Sequence, residues 1–299
     1  MEEFSYQVKN GKVCITGYNG IEEQIIVPSV LNGYPVSIIG KKAFWGKKKL
    51  RSIHLPDTIE KVEEWAFAGC RELSDIWFLG QKASDNSLVL ENHIFHNCVA
   101  LRFVYFGTMK QSLARLIACA ATKLHAEYLL SPVSAGSEQW YQSLDAKLLQ
   151  ILEESEEAAL RNLVYCAEED MLEKQQTCLY QQMCEKAELA FLRLVYSEKL
   201  TSAVYEKLKS FLLQRNKGGP TEEAWDVMIK SEEDSLLYCD KLFEIGGIHA
   251  GNIDLILQTL ENTGVELKAY ILKKWQNQRN AENIWQLLNL GDGIPEERI

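Results

Sequence analysis

The sequence lacks any apolar run approaching the roughly 18 residues that a membrane-spanning helix needs, so no span is expected in its 299 residues. Its start, Met1-Glu2-Glu3-Phe4-Ser5-Tyr6, has neither a positive region nor an apolar core of the kind that directs export. The expected location is therefore the cytoplasm. No Gly-x-Ser-x-Gly, P-loop or dinucleotide fingerprint occurs, and no catalytic set, cofactor or metal is expected. Cysteine is sparse: Cys14, Cys70, Cys98, Cys119, Cys166, Cys178, Cys184 and Cys239 are spread along a chain too long for a disulfide-stapled mini-domain. These thiols read as reduced and buried, behaving as small hydrophobes. Cation is scarce in the later part, where residues 111–299 carry 19 Lys/Arg against 30 Asp/Glu. Phosphate attraction needs clustered cation, so nucleic acid is excluded as a partner of that part.

What is present is ordinary in bulk: 46% hydrophobic and 25% charged residues exclude wholesale disorder. The length allows one large or two medium domains. The net charge of −10 is uneven, because residues 1–110 carry 13 Lys/Arg against 12 Asp/Glu. A split of this size points to two domains of different character.

The first third repeats itself. Ile39-Gly40-Lys41-Lys42-Ala43-Phe44-Trp45-Gly46 returns 23 residues later as Val62-Glu63-Glu64-Trp65-Ala66-Phe67-Ala68-Gly69. The register continues, with Leu50 on Leu73, Ile53 on Ile76 and Leu55 on Phe78. A third copy follows after 28 residues, placing Phe95, Cys98, Leu101, Val104 and Phe106 on Phe67, Cys70, Leu73, Ile76 and Phe78. The five extra residues fall in the polar stretch 80–87. A partial copy, Ile25-Ile26-Val27-Pro28, precedes Ile53-His54-Leu55-Pro56 by 28 residues. The period lies in the range of leucine-rich repeats. Each unit reads as a short strand with Ile53 in, His54 out and Leu55 in, stopped by Pro56. The Phe of each Ala-Phe pair fills the interior, and the core becomes continuous only when units stack.

The pattern I-G-x-x-A-F-x-G-C-x-x-L-x-x-I-x-L-P, read at residues 39–56 and again at 62–78, resembles the BspA-type leucine-rich repeat of bacterial proteins. Residues 17–36 resemble the opening such arrays often have. The first unit departs with Lys47 in place of Cys70 and Cys98, the third with Asn97 in place of Gly46 and Gly69. The resemblance implies binding of proteins or surface ligands; relatives are often exported, and some act in adhesion. Ahead of the array, Phe4, Tyr6 and Val8 alternate, Asn10-Gly11 follows, and Val13 and Ile15 alternate. This predicts a capping β-hairpin over residues 4–16.

From Gln111 helical spacing takes over. Examples are Val204, Leu208, Phe211 and Leu212; Ile253, Ile256, Leu257 and Leu260; and Leu267, Tyr270, Ile271 and Trp275. Breaks come at Ser131-Pro132, Gly218-Gly219-Pro220, Gly246-Gly247 and Thr263-Gly264. Pro220 is expected to open a helix with Glu222 and Glu223 in its first turn. Residues 252–277 read like one ankyrin- or HEAT-type hairpin; a plain bundle fits the same pattern.

The expected fold is thus α+β and multidomain. Residues 1–108 form a leucine-rich-repeat β-solenoid with its capping hairpin, and residues 109–299 an all-α domain of stacked helical hairpins or a bundle.

Candidate chemistry is thin. His93, His96 and Cys98 are the only close His/Cys grouping, but zinc needs four ligands and the repeat register points Cys98 inward. Cys178 and Cys184 are six apart and do not share a helix face. The acidic runs at 153–157 and 168–170 lack metal-loop spacing and read as solvated helix starts and faces. Lys41, Lys42, Lys47, Lys48, Lys49 and Arg51 form a basic patch, either a solvated surface or a dock for an anionic partner, including the chain's own acidic helical part.

Side chains alternate along a strand, so residues between the inward pairs face out. These are Ile26, His54, Trp77 and Tyr105, beside a second column of Gln24, Ser52, Asp75 and Phe103. Stacked about 5 Å apart, the aromatics form either a recognition surface or a face that the helical part covers. The expected function is non-enzymatic interaction with a protein partner through this sheet face. The alternative is an enzyme or regulator with its active site in the helical domain, for which a cleft joining His125 or His249 to a Cys or carboxylate would speak.

Overall fold

In a computed structural model, residues 3–80, 88–154, 171–219, 221–231, 233–260 and 265–289 are described. The capping hairpin forms from β1 (Phe4–Lys9) and β2 (Lys12–Tyr18), paired antiparallel from Phe4↔Tyr18 to Lys9↔Lys12. Asn10 and Gly11 both take positive φ, 51° and 73°, the left-handed pair whose twist matches the flanking strands. A second hairpin uses the same device. Asn32 and Gly33, at φ 50° and 82°, join β4 (Val30–Leu31) to the start of β5 (Tyr34–Ile39).

The remaining strands are β3 (Gln24–Ile26), β6 (Ser52–Leu55), β7 (Lys61–Val62), β8 (Asp75–Phe78), β9 (Val89–Leu90) and β10 (Phe103–Phe106). They build a β-solenoid of about three turns with two sheets. One runs β1-β2-β5-β7-β9, with β4 on β5; the other runs β3-β6-β8-β10 and is parallel throughout. Its register places Ile25, Ile53, Ile76 and Val104 side by side, all buried.

The turns stack as well as the strands. Phe44 N–H donates to Ala66 O at 2.8 Å and Phe67 N–H to Ile94 O at 3.0 Å, with Gly46 and Gly69 bonded likewise to Ala68 and His96. Inside, the rings of Phe44 and Phe67 stack at 5.2 Å and those of Phe67 and Phe95 at 6.0 Å, each pair 18° from parallel. Tyr18 and Phe4 carry the column into the capping hairpin at 5.7 and 5.2 Å. The Cys70 thiol donates to Phe44 O at 3.0 Å, and the Cys98 thiol to Phe67 O at 3.1 Å. The repeated cysteine therefore satisfies a carbonyl of the preceding rung. Gly46, Gly69 and Asn97 share one repeat position and all have positive φ. The third unit tolerates losing glycine because Asn enters this region at low cost.

α1 (Gln111–Thr122) follows β10 and packs on it, with Ala114–Ala121 buried without a break. A helix apolar on nearly every side must be covered on every side. A short 3-10 turn (Glu127–Leu129) follows, its Leu129 carbonyl accepting from Trp140 Nε1 at 2.9 Å. α2 (Glu138–Glu153) begins at Ser137, whose hydroxyl accepts the Trp140 N–H. The later helices are α3 (Met171–Val195), α4 (Ser202–Gln214), α5 (Glu223–Lys230), α6 (Ser235–Glu244), α7 (Ile253–Thr259) and α8 (Val265–Asn289). Secondary structure changes class between β10 and α1. Compactness divides the chain differently, into Met1–Met171 with Tyr196–Tyr205, and Leu172–Val195 with Glu206–Ile299.

Of the expected helical positions, Leu208, Leu212, Ile253, Ile256, Leu260, Leu267 and Ile271 are buried, and Val204, Phe211, Leu257, Tyr270 and Trp275 are half-buried. Loops of the second unit are tied by amides: Asn216 and Asn252 both donate to Gly247 O, at 2.6 and 2.8 Å, and Asn252 accepts from the His249 N–H. The helix expected at Pro220 begins at Glu223, with Glu222 at its N-cap; Pro220 lies outside the described residues, as does Thr263-Gly264.

Two stability outcomes follow from the stacking. Phe67→Ala, which removes the central ring, is expected to cost about 3–5 kcal/mol in denaturant-induced unfolding. Gly69→Ala is expected to cost only about 1–2 kcal/mol. A Cβ at Gly69 would meet nothing nearer than Gly46 Cα at 3.6 Å, so backbone strain alone is added.

Candidate interaction surface

The parallel sheet sets the outward columns. His54 and Trp77 stack at 5.5 Å and 12°, and Trp77 and Tyr105 at 3.8 Å and 12°. Phe103 lies 5.8 Å from Tyr105, and the guanidinium groups of Arg102 and Arg115 sit 5.7 and 6.0 Å from the Phe103 ring. Exposure falls along the column, from 74% at Ile26 through half-buried His54 and Trp77 to 8% at Tyr105. In the second column Gln24 is exposed, and Ser52, Asp75 and Phe103 are half-buried. Tyr105 thus keeps its outward place in the ladder without facing water. Burial, then the Asp75 charge, then Tyr196, push its phenol above the ordinary value. The accessible part of the ladder is Ile26, His54 and Trp77, with Asp75 beside them. A Trp held flat between two rings loses little freedom on binding and presents a large amphipathic face.

The basic patch divides. Lys41 pairs with Glu64 at 2.8 Å, and Arg51 lies 3.6 Å from Glu23 and 3.5 Å from Glu72. Lys42 sits over Trp45 at 5.1 Å and Lys47 over Tyr18 at 5.7 Å. Lys48 and Lys49 are exposed and have no carboxylate within bonding reach among the described residues.

A cleft of about 460 Å³ lies elsewhere in the first unit, lined by His93, His96, His125, Cys98 and Glu127 among others. Glu127 accepts from the His93 N–H at 2.7 Å and lies 3.4 Å from its ring Nδ1. Trp65 packs on His93 and His96 at 4.9 and 5.0 Å. The sequence grouped His93, His96 and Cys98 and named His125 beside a Cys or carboxylate as the mark of the enzyme alternative, and the cleft brings these together. Sequence reasoning missed Trp65 and Glu127, and the signal for Trp65 is that Lys42, Trp65 and His93 share one repeat position. All three hold positive φ, from 58° to 62°, so the turn projects them outward together. Among the described residues no three His, Cys, Asp or Glu side chains are disposed to hold a metal ion. The Cys98 thiol, bonded to Phe67 O, is pushed by burial up to about 12. A nucleophilic cysteine needs the opposite shift. His249 belongs to the second unit, its Nδ1 accepting from the Gly251 N–H at 3.1 Å. Glu153 and Glu154 end α2; residues 155–157, Cys166 and the run at 168–170 lie outside the described residues.

Residues 24–121 match the model of the BspA type leucine rich repeat region, in six copies. This segment is a BspA-type leucine-rich repeat region. The match counts more copies than the three and a part legible by eye, and it runs through β10 into α1. The chain is similar to a leucine-rich repeat protein of T. pallidum, at 29% identity over 36% of this chain and 48% of that one, with a TM-score of 0.32. It is also similar to a leucine-rich repeat protein of Bacteroides ovatus, at 26% identity over 36% of this chain and 29% of that one, TM-score 0.31. The chain spans less than half of either protein. No curated protein matches it.

The seven described cysteines are free thiols, and Cys14, Cys70, Cys98, Cys119 and Cys239 are buried. Burial raises Cys70 from 9.0 to about 11 and Cys98 to about 12. The folded repeat region holds these protons where the unfolded chain releases them. The contribution of these two thiols to the unfolding free energy is therefore expected to be fully present below pH 9 and to be lost as pH rises from there towards 11–12. Denaturant titrations at stepped pH check this; Cys98→Ala should shrink the loss.

Proposed function

We propose that this protein is a non-enzymatic interaction module whose repeat region binds a protein partner through the outward face of the parallel sheet. The carrying observation is Trp77, half-exposed and stacked between His54 and Tyr105 at 5.5 and 3.8 Å. Rigid aromatics with one wet edge are the side chains that dominate protein interfaces. Ile26 extends the apolar strip, and Asp75 supplies a polar contact at its edge. The repeat family is typical of protein or surface interaction, which supports the same reading. No described helix is long and apolar enough to cross a membrane. The cytoplasm remains our proposed location, and free thiols, five of them buried, fit a reducing compartment.

A photo-reactive residue at position 54, activated in the source cell, should capture the partner, and the purified partner can then be titrated against variants. Trp77→Ala is expected to weaken binding about 30-fold or more, a loss of about 2 kcal/mol. Tyr105→Phe should bind as the wild type does. Equal affinity for Trp77→Ala and wild type would remove the ladder from the interface.

A further inference from the structure

We propose a second recognition site at the outer edge of β3, which adds an extended, acidic segment of another protein as a further strand. β3 ends the parallel sheet, and no strand pairs its outer side among the described residues. Glu23 O accepts from the Arg51 and Ser52 N–H groups, and Val27 N–H donates to His54 O at 2.9 Å. Ile25 pairs with Ile53 between them. Residues 23, 25 and 27 therefore face β6, and the N–H and C=O of Gln24 and Ile26 face away. Unpaired strand edges are templates for an incoming chain, and proteins ordinarily blunt them with charge, proline or a covering element. Here Ile21 and Ile26 are 77% and 74% exposed; of the exposed acidic residues between them, Glu23 lies 3.6 Å from Arg51 and Glu22 accepts from the Tyr18 hydroxyl.

Charge selects the occupant. Beside the edge is a hollow of about 230 Å³ lined by Ile21, Ile25, Lys47, Lys48 and Lys49. Glu22 also lines it and stays ionised, accepting from the Tyr18 hydroxyl, so one carboxylate faces three ammonium groups. The hollow therefore offers an excess of ammonium groups next to free backbone donors and acceptors. A strand with carboxylates on one side and apolar residues on the other meets both. A second copy docking edge to edge would bring two Lys47–Lys49 clusters together, and like charges facing each other oppose that pairing. The edge shares Ile26 with the aromatic face but uses neither His54 nor Trp77, so Trp77→Ala tells the two sites apart.

The test uses the full chain and a dye-labelled, end-blocked eight-residue peptide of alternating Glu and Val, followed by fluorescence anisotropy at low salt. The Glu/Val peptide should bind, and a Lys/Val peptide should not. Lys47→Glu/Lys48→Glu/Lys49→Glu should weaken binding about tenfold or more, as should Gln24→Pro, which removes an outward N–H without touching the β6 bonds. Lys48→Gln/Lys49→Gln changes only exposed side chains and keeps the test valid if the triple variant unfolds; it should show a smaller loss. Trp77→Ala should leave the affinity unchanged. No binding of the Glu/Val peptide, equal binding of the Lys/Val peptide, or full affinity in the lysine variants overturns the proposal. So does loss of binding in Trp77→Ala, which would put the peptide on the face. A dimer by light scattering that Ile26→Lys dissolves would assign the edge to a second copy.

Discussion

The rings of Phe44, Phe67 and Phe95 meet only because successive turns of chain lie directly over one another, and the turns lie so because the rings fill the space between them. This mutual dependence governs the repeat region. One rung has an apolar edge and nothing to bury it against. A second rung covers that edge, aligns the turn amides with the neighbouring carbonyls, and offers the Phe44 carbonyl to the Cys70 thiol. Each added rung extends a core that has no independent existence in a single unit. Both ends then need cover, and the structure supplies it in two ways: Tyr18 and Phe4 continue the ring column into a hairpin, and α1 packs on β10.

The same stacking that builds the interior organises the exterior. In-register parallel strands place like positions of successive rungs side by side, so an outward residue becomes part of a column without any local signal. His54, Trp77 and Tyr105 form such a column on the sheet. Lys42, Trp65 and His93 form another on the turns, where they share a positive φ. The first is a graded surface, wet at Ile26 and dry at Tyr105. The second opens on a cleft whose cysteine is held protonated by burial. Function in this architecture is a matter of which columns stay uncovered.

Periodicity carried most of the fold. The 23- and 28-residue spacings identify the interior phenylalanines, the strand alternation and the cysteine column, and Asn10-Gly11 identifies the cap. The β4–β5 hairpin was not read from the sequence: Asn32-Gly33 marks its turn, but β4 has only two residues and displays no alternation. Helical spacing located the buried faces of the later helices, because amphipathic periodicity needs only neighbours along one segment.

Sequence by itself determined which side of each strand a residue occupies, since pleat and register are local and repeat exactly as the chain repeats. Only the tertiary structure decided which outward residues meet water. Tyr105 and Trp77 hold equivalent positions, yet one is dry and the other half wet, because exposure depends on what folds over the last rung and not on the rung. The basic run shows the same division. Its residues are contiguous in sequence, but Glu64, Glu23 and Glu72 come from neighbouring rungs to neutralise Lys41 and Arg51, leaving Lys48 and Lys49 unpaired among the described residues. Charge pairing across rungs is a distance in space, and no spacing along the chain encodes it.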